Sequence, residues 1–133
     1  MEVFLKMAET RSRKIIVAIT GASGACYGVR ALELLSRAGV ETHLVISKAG
    51  DRTIQEETGM TSKDIKALAT VVYPAQDIGA AIASGSFITH GMLVAPCSVK
   101  TMGEIATGIT SSLVSRAADV ILKERRRLVL MVR

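Results

Sequence analysis

Two short stretches hold the side chains with the clearest chemical potential. The first is Thr20-Gly21-Ala22-Ser23-Gly24, which follows an apolar run and precedes residues at helical spacing. Glycines there permit a tight turn, and the backbone N–H groups at the start of the following helix are expected to be free to hold an anion. The second is Pro96-Cys97-Ser98-Val99-Lys100-Thr101, a loop of hydroxyls and one cation that also opens a helix. Both are built for phosphate. The spacing decides which phosphate: Gly21, Gly24 and Gly28 do not reproduce G-x-G-x-x-G, because Ser23 stands where its second glycine belongs. A dinucleotide site also wants an acid after the second strand, where this chain has Ser47-Lys48. G-x-x-x-x-G-K-[ST] is absent as well. NAD and nucleoside triphosphates are thus disfavoured, and a mononucleotide phosphate remains.

Other reactive residue types carry less. Cys97 at a helix start has the position that lowers a thiol pKa, yet no histidine lies near it in sequence to act as a base, so it reads as a small buried thiol. His43, inside an apolar run, and His90, beside Gly91, read as structural. Glu57 is a lone acid at the end of a polar segment. The run from Lys123 to Arg127 has the placement of cations that complement a helix C-terminus. Cys26 and Cys97 show neither C-x-x-C nor Cys/His ligand spacing, so no metal site and no disulfide framework is expected.

The elements that position these groups follow from hydrophobic periodicity. Residues 14–20, 42–46, 71–73, 91–95 and 128–132 read as strands, the first an uninterrupted apolar run of the kind buried on both faces. Residues 25–37 carry Val29, Leu32 and Leu35 at helical spacing and stop at Gly39. Further helical stretches are read at 51–57, 61–69, 77–83, 101–106 and 111–125, with Thr61 and Asp64 resembling a capping box and Pro96 ending the fourth strand. Strands that alternate with helices, without hairpin signals, predict an α/β fold: a doubly wound, Rossmann-like parallel sheet with helices on both faces. The last strand calls for a covering helix that the chain does not supply, and either a longer chain or another subunit is expected to cover it.

Composition agrees. The 133 residues suffice for one domain; nearly half are apolar and only 3% aromatic. Apolar runs fall short of the roughly 20 residues that span a bilayer, and residues 1–13 read as a flexible leader without a secretory h-region. Reduced thiols and no signal predict a cytoplasmic location. The net charge of +5 gathers at the ends, in Lys6, Arg11, Arg13 and Lys14 and again in Lys123, Arg125, Arg126, Arg127 and Arg133. Anionic partners are implied, but scarce aromatics remove the stacking platform of single-strand binders, so phosphorylated small molecules fit better than nucleic acid.

Taken together, Thr20-Gly21-Ala22-Ser23-Gly24 with Tyr27-Gly28, Ser47-Lys48, Ser84-Gly85-Ser86, Pro96-Cys97-Ser98 with Lys100-Thr101, and Arg116-Ala117-Ala118-Asp119 running into Lys123-Glu124-Arg125-Arg126 resemble the UbiX-type flavin prenyltransferases over residues 14–133. The resemblance implies a flavoprotein three-layer sandwich that assembles as a homododecamer and binds FMN. Its members join a dimethylallyl group from dimethylallyl phosphate to flavin N5 and C6. The product serves a UbiD-type decarboxylase, and members are often labelled aromatic acid, phenylacrylic acid or polyprenyl-hydroxybenzoate decarboxylases. By position, Gly21, Ala22, Ser23, Ser47, Ser98, Val99, Lys100, Thr101 and Arg133 are implied as FMN contacts. Ser84, Arg116 and Lys123, joined by Arg133, are implied to grip the prenyl phosphate, and Ser23 and Glu57 to assist proton movement.

One departure stands out. The family carries an acid directly after the equivalent of Arg133, then a tyrosine and a further basic residue, and this sequence ends at Arg133. Residues 14–133 are thus expected to form an FMN-binding domain incomplete at its C-terminal end, and impaired on its own in prenyl transfer. Two rivals are an FMN-binding subunit of a hydroxyarylic acid decarboxylase and a cysteine decarboxylase of related fold. The second is opposed by Ala95-Pro96-Cys97-Ser98 standing where those enzymes carry a PASANT-like motif, and by the lack of their catalytic histidine.

Overall fold

The computed structural model describes residues 13–133; the leader expected at residues 1–13 lies, but for its last residue, outside the described residues. Strands β1 (Lys14–Ile19), β2 (Glu41–Ile46), β3 (Val71–Tyr73), β4 (Gly91–Cys97) and β5 (Arg127–Val132) form one sheet in the order β3-β2-β1-β4-β5, every pairing parallel. The unbroken apolar character of β1 explains its central place. Ile16 and Ala18 point to one face and Val17 and Ile19 to the other, all at most 1% exposed, so neither face tolerates a polar residue.

Helices α1 (Ala25–Arg37), α2 (Lys48–Thr58) and α3 (Ser62–Lys66) cover one face. Ala25, Gly28, Val29 and Leu32 of α1 are buried at the i, i+3, i+4, i+7 spacing that puts them on one stripe. They pack with Val17, Ile19, Leu44, Ile46, Ile54 and Ile65. Fully burying a side chain such as Leu32 contributes about 1.5–3 kcal/mol. Opposite, α5 (Leu113–Lys123) and a 3-10 turn (Ala81–Ala83) close a second core of Ile16, Ala18, Met92, Val94, Ala117 and Ile121. Between these, α4 (Val99–Thr107) runs from the end of β4 and leans Met102 and Ile105 on that core.

The boundaries show what capping adds to periodicity. Ser47 accepts from the N–H of Gly50, which starts α2 three residues before the expected 51. Thr61 and Asp64 do form a capping box, as do Ser112 and Ser115 at the head of α5. Arg125 adopts φ 55°, a left-handed conformation that stops α5 at Lys123 rather than at 125. Pro96 does not end β4. The strand continues to Cys97 across a register shift against β5, where a proline without an N–H is tolerated.

At the β5 edge, Leu128 and Leu130 lean on the α5-side core, while Val129, Met131 and Val132 on the strand are 48%, 37% and 44% exposed. Beside them runs an apolar groove of about 390 Å3 between Leu34 and Leu35 of α1 and Leu93 and Val129 of the sheet.

Candidate active site

β1 connects to β2 on one side while β4 lies on its other side, so the strand order reverses between β1 and β4. Ligands of open parallel sheets gather beyond the carboxyl ends of the strands at such a point. The two phosphate-suited loops sit there. Thr20, 1% exposed, ties them together: its hydroxyl donates to Pro96 O (2.7 Å) and accepts from Ser98 N (2.9 Å), and its own N–H donates to Pro96 O (3.2 Å).

Between these loops and α2 lies a cleft of about 530 Å3, within the range of about 300–1,000 Å3 usual for small-molecule sites. Of the expected flavin contacts, Gly21, Ser47, Ser98, Lys100 and Thr101 line it. The turn packs closely, since a Cβ at Gly21 would come within 2.5 Å of the Ala49 Cβ. Two helices start at the cleft, α2 capped by Ser47 and α4 by Ser98, whose hydroxyl accepts from Thr101 N (3.2 Å). Both therefore turn the positive ends of their dipoles toward it. The cleft also takes in residues that sequence reasoning passed over: Arg52, Gln76, Glu104 and Ser112. For Arg52 a signal existed, because it stands four and three residues after Lys48 and Ala49 and so shares their helix face. An adjoining recess of about 340 Å3 contains Lys48, Lys66, Tyr73 and Asp51. There the Asp51 Oδ1 is buried without a hydrogen-bond partner among the described residues.

Ser23 and Glu57 form a second centre beside the cleft. Glu57 Oε1 accepts from the N–H groups of Gly24 (3.0 Å) and Ala25 (3.4 Å), and Oε2 accepts from Ser23 Oγ (3.1 Å) and from Gly24 N (3.2 Å). This corrects one expectation: the N–H groups opening α1 are not free for an external anion, because the chain's own carboxylate takes them. Gly24, at φ 107°, supplies the bend that few other residues adopt. Desolvation pushes the Glu57 carboxyl upward. The N–H groups of Ala25 and Gly24, the Ser23 hydroxyl and the Arg133 charge outweigh it, and the group ends below its ordinary value. Arg133 follows β5, donates its N–H to Cys97 O (3.1 Å), and sets its guanidinium 5.9 Å from the Tyr27 ring centroid, a cation–π distance. Ala22 is buried within the turn, and Val99 is exposed at the start of α4.

The expected prenyl-phosphate residues are not gathered with these. Ser84 Oγ lies 2.9 Å from Ser86 Oγ in the loop before β4, which Arg126 holds by donating to Gly85 O (2.8 Å) and Phe87 O (3.1 Å). Lys123 pairs with Asp119 (3.2 Å) at the end of α5, where the chain is about to enter β5. Both sit at the amino-end rim, a strand length from the cleft, on the order of 20 Å. Arg116 is exposed in the first turn of α5. Within one copy, Arg133 adjoins Tyr27 and Glu57, and Arg116 lies one turn beyond Ser112, which lines the cleft, while Ser84 and Lys123 lie away from it.

The remaining reactive types are structural. Burial pushes the Cys97 thiol up, partly offset by the Met102 N–H, so it is not a thiolate nucleophile at neutral pH. His43 is 3% exposed, with Nδ1 2.8 Å from Tyr73 OH; burial lowers its pKa more than the neighbouring Glu41 raises it. Among the described residues no cluster of His, Cys, Asp or Glu is arranged to hold a metal ion, and no helix is long and apolar enough to cross a membrane.

A doubly wound parallel sheet with a hydroxyl-rich cleft at its switch point defines an α/β protein of the open-sheet class. Residues 5–132 match the Flavoprotein family model, and the chain belongs to that family. It is 56% identical over 121 residues to flavin prenyltransferase UbiX of Neisseria meningitidis serogroup B (strain ATCC BAA-335 / MC58), a match covering 91% of this chain and 64% of that protein. Against flavin prenyltransferase UbiX of Thauera aromatica it is 55% identical over 120 residues, covering 90% and 62%. The chain thus spans less than two thirds of the length of these curated relatives. Among solved structures, AnUbiX (PadA1) in complex with FMN and dimethylallyl pyrophosphate superposes with a TM-score of 0.91 at 50% identity, covering 92% of this chain and 65% of that one. The dodecameric FMN-dependent Ubix-like decarboxylase from Escherichia coli O157:H7 superposes with 0.89 at 50% identity, covering 90% and 66%.

Proposed function

We propose that this chain binds FMN in the rim cleft and acts as a flavin prenyltransferase, moving a dimethylallyl group from dimethylallyl phosphate to the flavin for use by a UbiD-type aromatic acid decarboxylase. The observation that carries the reading is the convergence on one rim of the cleft, with its two helix N-termini and hydroxyl caps, and the Ser23–Glu57 pair under Arg133. The donor set fits the cofactor: hydroxyls, backbone N–H groups and cations suit a phosphate ester, and the volume suits the rest of a mononucleotide. Relatives named flavin prenyltransferase UbiX, and a neighbour solved with FMN and dimethylallyl pyrophosphate, support the same reading.

When bound, the flavin supplies the nucleophilic N5 and C6 and a flat π surface. The chain's residues do the rest. Ser47, Ser98 and Thr101 hold the FMN phosphate at the helix starts. Arg133, with Arg116, Lys123 and Ser84, places positive charge and hydroxyl donors where the departing prenyl phosphate develops negative charge. Glu57 holds a proton at Ser23 Oγ beside the ring site. Because Ser84 and Lys123 lie on the opposite rim from the cleft, they reach a flavin only from a neighbouring copy. This favours a homo-oligomer, which the dodecameric neighbour supports. Cys26 and Cys97, both free, suit a reducing compartment such as the cytoplasm.

Anaerobic incubation of the protein with reduced FMN and dimethylallyl phosphate, followed by mass spectrometry of the extracted flavin, is expected to show a species heavier by one dimethylallyl group, formed slowly by residues 14–133 on their own. Bound FMN of unchanged mass contradicts the transferase reading and leaves an FMN-carrying subunit.

A further inference from the structure

We propose that Arg52, on the α2 wall of the cleft, is the side chain that fixes the flavin's terminal phosphate and sets the preference for FMN over the unphosphorylated flavin; the assignment rests on the flavin reading above. A phosphate ester carries up to two negative charges, and the partial charges of two helix N-termini do not balance them. The capping hydroxyls accept from backbone N–H groups, Ser47 Oγ from Gly50 and Ser98 Oγ from Thr101, and Ser98 Oγ donates to Thr101 Oγ1, so what Ser47 and Thr101 still offer a phosphate is neutral O–H donors. Full cations are needed, and the cleft wall offers Lys48, Arg52 and Lys100.

These three are not equivalent. Lys100 faces Glu104 of its own helix (3.5 Å), a neighbouring negative charge that offsets part of its pull on a phosphate, and its side chain is mostly in solvent. Lys48 also borders the recess where the Asp51 carboxylate has a buried, unpartnered oxygen, and that negative charge disfavours a phosphate on its side. Arg52 lines the cleft but not the recess and makes no ion pair among the described residues. Its helix is pinned by fully buried Ile54 and buried Gly50, which turns position 52 outward onto the wall. A guanidinium presents two parallel N–H donors to a phosphate, a geometry that an ammonium does not reproduce. Glu104, whose side chain is 14% exposed, completes the polarity of the site. Its carboxylate is held by Lys100 (3.5 Å) and accepts from the Ser111 hydroxyl (3.1 Å), so the α4 wall presents an acid–base pair where the α2 wall presents Arg52 without an ion pair among the described residues.

Titration of FMN and of riboflavin, read by quenching of flavin fluorescence, tests the assignment in the wild type, R52A, R52K and K100A. R52A is expected to weaken FMN binding about 10- to 100-fold, the loss of a charge-assisted pair, with riboflavin affinity unchanged. R52K is expected to fall between, and K100A to change the FMN-to-riboflavin ratio less than R52A. A wild type that binds neither flavin refutes the flavin reading itself, and the assignment with it. Tight wild-type binding with an unaltered ratio in R52A overturns the Arg52 assignment alone. So does loss of both ligands in R52A and R52K, because the residue then serves the fold or the ring site.

Discussion

Glu57→Gln is expected to lower the rate of prenyl transfer by about 100-fold or more, the usual range for removing a positioned acid–base group, while FMN binding changes little. The carboxylate accepts from Ser23 Oγ and from the N–H groups of Gly24 and Ala25 with its two oxygens. An amide offers one acceptor in place of two and sets an NH2 against donors. The pH profile separates a role in proton handling from a role in shape. The Glu57 pKa is held below its ordinary value, so its stabilising contacts are fully present above the unfolded carboxylate value and are lost as pH falls through the lower folded value. Wild-type activity is accordingly expected to hold through the ordinary carboxylate range and decline only below it, whereas the Gln variant has no such limb. Rates measured for both proteins across acidic pH check this, and an acidic limb retained in the variant contradicts it.

Ile54→Ala is expected to destabilise the protein by about 2–5 kcal/mol, the cost of removing a large aliphatic side chain from a packed core, and to weaken FMN binding at the same time. Ile54 is 0% exposed and packs α2 against β1 and β2. That helix carries three pieces of the site: the Ser47 cap at its head, Arg52 on the cleft wall and Glu57 in its last turn. Loosening its one large buried side chain shifts all three together. Chemical denaturation gives the stability change, and flavin titration of the still-folded variant gives the second effect. A midpoint equal to wild type contradicts the packing described.

The scaffold was readable where one local rule decided the outcome. α1 begins and ends where its apolar stripe and the following glycine place it, and β3 falls on its short β-branched run. The start of α2 was not, because a serine cap outweighed the weak helix pattern of residues 48–50. The continuation of β4 past Pro96 depends on a register shift against β5, which no local pattern encodes. The site divides in the same way. Gly21, Ser47, Ser98 and Thr101 were legible as residues just after strands. The embrace of Ser23 and Glu57, 34 positions apart, needs α2 to return against the head of α1, and Thr20 becomes a clamp only once β4 lies beside β1. Ser84 and Lys123 entered through resemblance to a family, and the topology of a single copy puts them on the far rim.

In the function proposed above, the cleft between the β1, β2 and β4 loops is the seat for FMN. Crystals of the protein grown or soaked with FMN test it most directly. Density for the phosphate is expected within hydrogen-bond reach of Ser47, Ser98 and Thr101, with the ring system beside Ser23, Glu57 and Arg133. A flavin bound elsewhere on the molecule, or a cleft left empty at saturating FMN, contradicts it.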